Sequence, residues 1–106
     1  MIEFPKGRYT YYIYILTNKN RKVLYTGVTE NLHRRLYQHK TKQNRSSFTA
    51  RYNLEFLIYY EKYDWIHYAI EREKEIKNWS RIKKLELIRT INPNLEFLNY
   101  LFENWR

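Results

Sequence analysis

The chain has 106 residues, 43% of them hydrophobic, with only two glycines and two prolines, which predicts one folded domain over residues 1–106 and excludes a disordered array. The absence of cysteine excludes a disulfide framework and a thiolate metal site. Twenty Lys and Arg against 11 Asp and Glu give a net charge of +9, which favours a polyanionic partner, nucleic acid first.

The first two predicted elements are strands joined by a turn. Residues 11–17 and 22–28 are rich in Tyr, Ile, Val and Leu, which are favoured in strands. Residues 18–21 between them, Asn-Lys-Asn-Arg, are turn-forming. The pattern therefore predicts a β-hairpin.

The register of this hairpin decides which aromatic side chains meet. With the turn centred on residues 19–20, Tyr14 is predicted to face Tyr25. The same register places Tyr12 opposite Gly27, which leaves one face of its strand open to close approach. A cross-strand tyrosine pair is typical of core packing as well as of a functional site, because aromatic residues are favoured in strands.

A helix is predicted next, over about residues 30–42. Thr29 is its predicted N-cap, because threonine hydroxyls accept hydrogen bonds from the first free amides of a helix. Leu32 and Leu36 recur at helical spacing, so this side of the helix is predicted to face the core.

Cationic residues dominate this helix and the loop that follows it. Arg35 and His39 lie one turn apart beside the leucine stripe, and they can point together toward the edge of the hairpin. Residues 33–51 contain no acidic residue at all. The candidates for contact with nucleic-acid phosphates in this segment are Arg34, Lys40, Lys42, Arg45 and Arg51.

A loop or short helical turn over residues 43–52 is predicted to lead into a third strand over residues 54–60. A helix follows over about residues 65–78, with Asp64 as its predicted N-cap. Its apolar stripe includes one carboxylate, Glu73. Periodicity alone favours a surface position for Glu73 over a role as an arginine partner or a metal ligand.

The last quarter of the chain is predicted to be helical. Ser80 is the predicted cap of a helix that runs to about residue 91, with apolar positions at 82, 85, 87 and 88. Residues 92–94 end it, and residues 95–106 predict a short amphipathic helix. The order is therefore β-β-α-β-α-α with an appended helix, an α/β (α+β) arrangement.

Membrane and zinc sites are not expected. The longest apolar run is too short to cross a bilayer, and residues 1–9 lack a secretory signal pattern. The three histidines show no zinc-type spacing. These features predict a cytoplasmic protein.

Taken in order, the motifs of the chain resemble those of the GIY-YIG nuclease superfamily, in particular its small single-domain members of the excision-nuclease N-terminal-domain type. Residues 12–14 (Tyr-Ile-Tyr) and 25–27 (Tyr-Thr-Gly) stand for the two motifs of the family name. The other matching positions are residues 32–36, 39, 69–73, 76–77, 79–81, 84 and 92–93, so that the resemblance spans about residues 9–94. It implies a small three-stranded, largely antiparallel sheet packed against helices, with residues 95–106 as a helical extension.

The resemblance implies hydrolysis of DNA phosphodiester bonds with one divalent metal ion. Tyr14 would act as the general base or position the attacking water, with Tyr25 as its hydrogen-bonding partner and alternative base. Because a phenol has a reference pKa of about 10, the metal and nearby arginines would have to favour phenolate. Arg35 would bind the scissile phosphate, and His39 would orient these groups or assist proton transfer. Glu73 would hold Mg²⁺ or Mn²⁺.

The chain also departs from the family pattern. Tyr12 stands where the family name implies glycine, and Thr26 stands where it implies isoleucine. The loop near Phe48 has no clear counterpart of the polar group that some members place there. Asn92 is the candidate for the late asparagine that supports the site in some members.

Two alternatives to a nuclease remain at this point. The first is a nucleic-acid-binding module that keeps the fold and charge, binds phosphates and cuts poorly or not at all. The second is a partner-binding domain that uses exposed aromatic side chains at Tyr59, Tyr60, Tyr63 and Trp65. Because 106 residues leave no room for a separate sequence-reading domain, a nuclease of this size is expected to act on structured or damaged DNA or to need a protein partner for targeting.

Overall fold

A computed structural model describes residues 10–103, which form a three-stranded sheet with helices packed on both of its faces. The strands are β1 (Tyr11–Thr17), β2 (Leu24–Thr29) and β3 (Phe56–Tyr63), and the helices are α1 (Leu32–Thr41), α2 (Phe48–Arg51), α3 (Ile66–Lys77), α4 (Arg81–Arg89) and α5 (Tyr100–Glu103). The predicted α/β class and element order are confirmed, and the short α2 lies within the predicted loop. In this described part of the chain, no helix combines the length and the apolar character needed to cross a membrane.

The central strand of the sheet is β1, which pairs antiparallel with both β2 and β3. The predicted bounds of β1 are correct, whereas β2 begins two residues later than predicted. The third strand is displaced toward the C-terminus, since it spans residues 56–63 instead of 54–60. All three predicted strands therefore exist, and the errors lie in their ends.

The predicted hairpin register is wrong by two residues. Tyr14 lies opposite Gly27, and Tyr25 lies opposite Leu16. The turn itself is where the sequence indicated, because the Arg21 amide donates to the Asn18 carbonyl at 3.0 Å. The shift arises after the turn.

The Asn18 side chain explains this shift. Its Oδ1 accepts hydrogen bonds from the amides of Lys22 and Val23, at 2.8 and 3.3 Å. These two residues are thereby held in the loop, although their composition is compatible with a strand. The ladder resumes only at the pair of Thr17 and Leu24.

The sheet buries side chains on both faces, because alternate residues of a strand point in opposite directions. One core contains Ile13, Ile15, Ile58, Tyr59, Ala69, Ile76 and Ile88, and places α3 and α4 on that face. The other core contains Tyr14, Leu16, Leu32, Leu36, Leu54 and Leu57, and places α1 on the opposite face. The two leucines predicted to anchor α1 are therefore buried as expected.

The start of α1 differs from the prediction by two residues. Its N-cap is Asn31, whose side chain accepts a hydrogen bond from the Arg34 amide at 2.9 Å. The predicted cap, Thr29, instead accepts from the Asn31 amide at 3.1 Å through its hydroxyl. Thr29 is thus the last residue of β2, and Asn31 caps α1 in its place. An asparagine side chain accepts a hydrogen bond from a first-turn amide as well as a threonine hydroxyl does.

Of the N-cap residues predicted for α3 and α4, the first is wrong and the second is confirmed. Trp65 occupies the N-cap position of α3 and makes no side-chain capping bond there, so the predicted cap Asp64 is wrong. Ser80 caps α4 as predicted and accepts from the Lys83 amide at 3.2 Å. Of the apolar positions noted on α4, Ile88 is fully buried whereas Ile82 is 72% exposed.

The segment after α4 consists of turns and irregular backbone, so the helix predicted over residues 95–106 forms only as the short α5; residues 104–106 lie outside the described residues. Buried Asn92 orders this segment, since its Nδ2 donates to the carbonyls of Ile58 and Glu96, each at 2.9 Å. The Leu98 amide then donates to the Leu57 carbonyl at 2.7 Å. Asn92 therefore anchors the C-terminal segment to β3.

An ion pair fixes α3 to β3. Arg72 binds both oxygens of Glu61, with Nε at 2.9 Å and a terminal nitrogen at 3.0 Å, and the hydroxyls of Tyr59 and Tyr63 donate to the same carboxylate. Burial alone would raise the pKa of Glu61, but the hydrogen bonds from Arg72, Tyr59 and Tyr63 outweigh it and hold that pKa below its usual value. The carboxylate is therefore charged and fully paired at neutral pH.

The aromatic surface predicted at the end of β3 does not form. Tyr59 is buried, and Tyr60 and Tyr63 are half-buried; of this group, only Trp65 is exposed. These four residues therefore do not form the exposed aromatic patch that was expected for a partner.

Candidate active site

Tyr14 and Gly27 meet face to face across β1 and β2. A Cβ built on Gly27 would lie 2.5 Å from both Cζ and Oη of Tyr14, closer than carbon atoms can approach. Tyr14 has only 1% of its surface exposed, so its ring has little room to move away. The glycine is thus required for the tyrosine ring to cross the neighbouring strand.

Tyr14, Tyr25 and His39 form a compact aromatic triangle. The ring centroids lie 6.3 Å apart for the two tyrosines, 5.9 Å for Tyr14 and His39, and 6.0 Å for Tyr25 and His39. The two tyrosines are diagonal neighbours rather than directly opposed, because the register is shifted. The structure therefore brings the predicted tyrosine pair together with the predicted histidine, by a different pairing from the one expected.

The imidazole of His39 bridges Tyr14 and the short helix α2. Its Nε2 lies 3.2 Å from Oη of Tyr14, and its Nδ1 lies 3.1 Å from Oγ1 of Thr49. With the proton on Nδ1, the ring donates to Thr49 and accepts from the phenol. Oγ1 of Thr49 in turn lies 3.2 Å from Oγ of Ser47, the residue that caps α2.

Thr49 is the residue that sequence reasoning missed. The expectation that the loop near Phe48 lacks a polar partner for the site is wrong, because Thr49 is 7% exposed and contacts His39. The available signal was Ser47, whose type favours a helix start and thus a fixed position for the residues after it. The candidate Asn92 is engaged in anchoring the C-terminal segment instead.

Burial sets the protonation states of this triangle. Burial, followed by the neighbouring Tyr25, raises the pKa of Tyr14 above its ordinary value; Glu73 adds to the effect, and Arg35 opposes it. Burial and then Arg35 lower the pKa of His39 to about 4. At neutral pH the phenol is therefore protonated and the imidazole is neutral, so the histidine has a free lone pair for the phenol proton.

Arg35 lies beside Tyr25 and His39 at a surface cleft that the buried Tyr14 does not line. Together with Tyr25, His39 and Lys42 it lines a cleft of about 440 Å³, whose far wall is the segment leading into α2. Among residues 10–103, no carboxylate lies within 4.0 Å of its guanidinium. Arg35 is thus exposed beside the phenol and is available for an anion.

Glu73 lies on α3, which packs on the face of the sheet opposite α1, and its charge raises the pKa of Tyr14. Its side chain is only 15% exposed, and its Oε2 lies 3.1 Å from Nζ of Lys77. Lys77 also approaches the Tyr25 ring, with Nζ 6.0 Å from the ring centroid. The surface position that periodicity favoured for Glu73 is therefore wrong, since the side chain is largely covered and paired.

A metal site here would depend on few protein ligands. The described residues contain no cluster of three or more His, Asp or Glu side chains suited to enclosing a metal. A single carboxylate such as Glu73 fits a hard cation like Mg²⁺, which usually keeps several waters and takes further oxygens from substrate phosphates. The donor set thus fits one cation that is completed by substrate and water.

The predicted phosphate-binding residues are only partly gathered at the cleft. Lys42 lines it and lies 3.9 Å from Glu55, whereas Arg34 and Lys40 are not among its lining residues. Arg34 pairs with Glu30 at 4.0 Å, and both side chains are mostly exposed. Arg45 and Arg51 are exposed, on the loop before α2 and at its end.

These features bring two tyrosines, a histidine, an arginine and one carboxylate of a small α/β domain together around the strands β1 and β2. The chain belongs to the GIY-YIG family, because the model of the GIY-YIG catalytic domain matches residues 10–86. The resemblance noted from the motifs is therefore confirmed. The family is one of nucleases, which places nucleic acid as the substrate class, and its members generally use divalent metal ions.

Relatives of similar size support this assignment. The chain is 37% identical over 82 residues to a UPF0213 protein of Syntrophus aciditrophicus, covering 77% of this chain and 92% of the relative. It is 38% identical over 78 residues to one of Staphylococcus saprophyticus, covering 74% and 93%. A solution NMR structure of a UPF0213 protein from Bacillus halodurans superposes with a TM-score of 0.53 at 26% identity, covering 90% of this chain and 97% of the other.

Proposed function

We propose that this protein is an endonuclease that hydrolyses phosphodiester bonds in DNA with the help of one divalent metal ion. The observation that carries the proposal is the hydrogen-bonded pair of Tyr14 and His39, set beside Arg35 and within the electrostatic reach of Glu73. A buried phenol against a neutral imidazole is an arrangement for moving a proton, and a free guanidinium beside it suits a phosphate.

The proton path begins at the attacking water. The raised pKa of Tyr14 argues against a standing phenolate, so the phenol is a better relay than a base in its own right. The water gives a proton to Oη of Tyr14 while the phenol gives its own proton to Nε2 of His39, 3.2 Å away. Thr49 holds the imidazole in the orientation that keeps Nε2 free to accept.

Arg35 and Glu73 have the other two roles, which are contact with the phosphate and contact with the cation. As the hydroxide forms a bond to phosphorus, the bond to the leaving oxygen breaks, and that oxygen takes a proton from solvent. Arg35 stays charged throughout and can donate hydrogen bonds to two phosphoryl oxygens of the pentacovalent transition state. Glu73 is the residue that would hold the cation, which supplies neutralisation of the developing negative charge when bound.

The second candidate function is a binding module that cuts weakly or not at all. The 3.1 Å contact between Lys77 and Glu73 favours it, because the carboxylate is already neutralised by an ammonium that a metal ion would have to displace. In that case phosphate contacts alone would account for affinity.

The deciding experiment is a nicking assay on supercoiled plasmid and on labelled oligonucleotides with Mg²⁺ or Mn²⁺. Arg35→Ala is expected to lower the cleavage rate by about 100-fold or more, because it removes the transition-state anion contact. Tyr14→Phe and Glu73→Gln are expected to lower it to a similar extent, and chelation of the metal should abolish cleavage.

Matched controls come from the same chain. Glu71→Gln changes an exposed carboxylate two residues from Glu73, and Arg89→Ala removes an exposed arginine on α4. Both should cleave like the native protein. Equal trace cleavage by the native protein and every variant would mark contamination and reject the nuclease, whereas metal-independent binding without cleavage would leave the binding module.

A further inference from the structure

Two exposed aromatic side chains lie at α2, where Phe48 is the first residue of the helix and Tyr52 is its C-cap. Phe48 is 51% exposed and Tyr52 is 46% exposed, although both are large apolar rings. They lie four residues apart, so they share one side of the helical turn, and their centroids are 4.7 Å apart at an interplanar angle of 42°. About half of the surface of each residue is therefore exposed, which leaves aromatic surface for contact with a further planar group.

This pair lies between two depressions of the surface. Phe48 lines the cleft that also contains Tyr25, Arg35 and His39. Tyr52 lines a second depression of about 510 Å³, whose other walls are the hairpin turn at residues 18–20 and Asn53. The aromatic pair thus joins the candidate active site to the hairpin turn along one continuous surface.

The charge around the pair is positive. Residues 31–54 contain no acidic residue. Arg45 and Arg51 are exposed on either side of Phe48 in sequence, and Lys19 lies in the wall of the second depression. Within the described residues, neither arginine has a carboxylate within 4.0 Å. A polyanion whose units also carry planar faces matches this combination of charge and aromatic surface.

We propose that Phe48 and Tyr52 form a stacking platform for an unpaired nucleobase next to the scissile phosphate, so that the substrate is single-stranded or carries a single-stranded stretch. This inference rests on the proposed function, since it specifies the substrate of the same cleft. The bases of a duplex have their faces covered by their neighbours, and only an unpaired base offers a free face to a protruding ring. Stacking is blind to the sugar, so the platform accepts both DNA and RNA strands.

The test is a binding measurement that does not depend on cleavage. Fluorescence anisotropy, recorded in the presence of EDTA, measures binding of the native protein to labelled oligothymidine and oligouridine of about 16 nucleotides, and to a duplex of the same length. Phe48→Leu and Tyr52→Leu keep an apolar side chain but remove the aromatic face. Each is expected to weaken single-strand binding about tenfold while duplex binding changes by less than about twofold.

Two further variants separate stacking from other effects. Phe48→Trp keeps an aromatic face and should bind single strands at least as well as the native protein. Tyr68→Leu is the matched control, because Tyr68 is 49% exposed and also contacts a second aromatic ring, that of Trp65 at 4.8 Å. Tyr68 follows β3 at the opposite end of the sheet from α2, so its loss should leave single-strand affinity unchanged.

Each outcome has one meaning. Unchanged single-strand affinity in both leucine variants, or equal loss on single strand and duplex, overturns the platform. A leucine variant that alters self-association in sedimentation but not oligonucleotide affinity assigns the pair to a protein contact and also overturns the platform.

The platform and the nuclease can fail separately. If the native protein cleaves while the leucine variants bind single strands like the native protein, only the platform fails. If the platform effect is present without cleavage, only the nuclease fails. Losses of similar size are expected on oligothymidine and oligouridine, and a loss on only one of them would contradict a platform that accepts both kinds of strand.

Discussion

At the scale of single residues, the site depends on how burial changes ordinary side chains. The motif pattern identified Tyr14 and His39 from their residue types and order alone. It did not reveal that the phenol is pushed toward its protonated form and the imidazole toward its neutral form, because both shifts come mainly from burial. Burial of these groups depends on side chains from several elements, Thr49 among them, and a linear pattern does not contain that information.

His39 therefore gives a prediction about pH. Its pKa of about 4 in the folded protein lies below the ordinary value of 6.5, so the unfolded chain binds the proton more readily. The stability contributed by neutral His39 is complete above about pH 6.5 and is lost as pH falls toward 4. Cleavage should likewise be insensitive to this group from pH 6 to 8 and decline as the imidazole becomes protonated near pH 4.

The measurement is an NMR titration of the histidine ring protons, with His39→Gln used to assign the resonance. A midpoint near 4 confirms the neutral imidazole. A midpoint at the ordinary value of 6.5 or above would contradict the buried position of the ring, because burial is the main cause of the lowered pKa. Circular dichroism at each pH separates titration of the folded protein from acid unfolding.

At the scale of elements, the sequence predicted the presence of the strands and helices better than the register in which the strands pair. Periodicity located three strands and the main helices, because buried faces repeat every two or 3.6 residues. The register of β1 on β2 escaped it, since the shift of two residues is set by the side chain of Asn18 and its bonds to the loop amides. That shift is what places Gly27, and no other residue of β2, under the ring of Tyr14.

Gly27→Ala tests this alignment. The added methyl would lie 2.5 Å from the end of the Tyr14 ring, so the ring must move and its hydrogen bond to His39 is lost. We expect a loss of about 1–3 kcal/mol in the free energy of unfolding and a fall in the cleavage rate of about 100-fold. Gly27→Ser, with a larger side chain, should be worse on both counts.

The control for this substitution lies one residue earlier. Thr26 is on the same strand but faces the opposite side of the sheet, and Thr26→Val changes no volume near Tyr14. It should keep its cleavage rate, as measured in the same nicking assay, with unfolding followed in urea. An active and fully stable Gly27→Ala protein would mean that the Tyr14 ring does not occupy the position described.

At the scale of the whole molecule, the net charge of +9 was correctly taken from composition, but composition does not say where the charge acts. The structure leaves Arg45 and Arg51 exposed before α2 and at its end, next in sequence to residues that line the cleft, whereas Lys77 and Arg72 are bound to carboxylates on α3 and β3. The folded chain thus separates cations that hold the structure together from cations that are open to a polyanion. Only the second kind should contribute to binding of nucleic acid.

Salt dependence of binding measures this separation directly. Each phosphate neutralised on a single strand contributes a slope of about −0.7 to the plot of log affinity against log salt concentration, because a condensed counterion is released. Arg51→Gln is therefore expected to make the slope shallower by about 0.7 and to weaken binding alike on all base sequences. Arg89→Gln removes the same charge from the last turn of α4, away from the cleft, and should leave the slope as it is in the native protein. If both variants lose equal slope, binding follows the total charge of the molecule rather than the surface beside the cleft, because the two proteins differ only in where the missing charge lay.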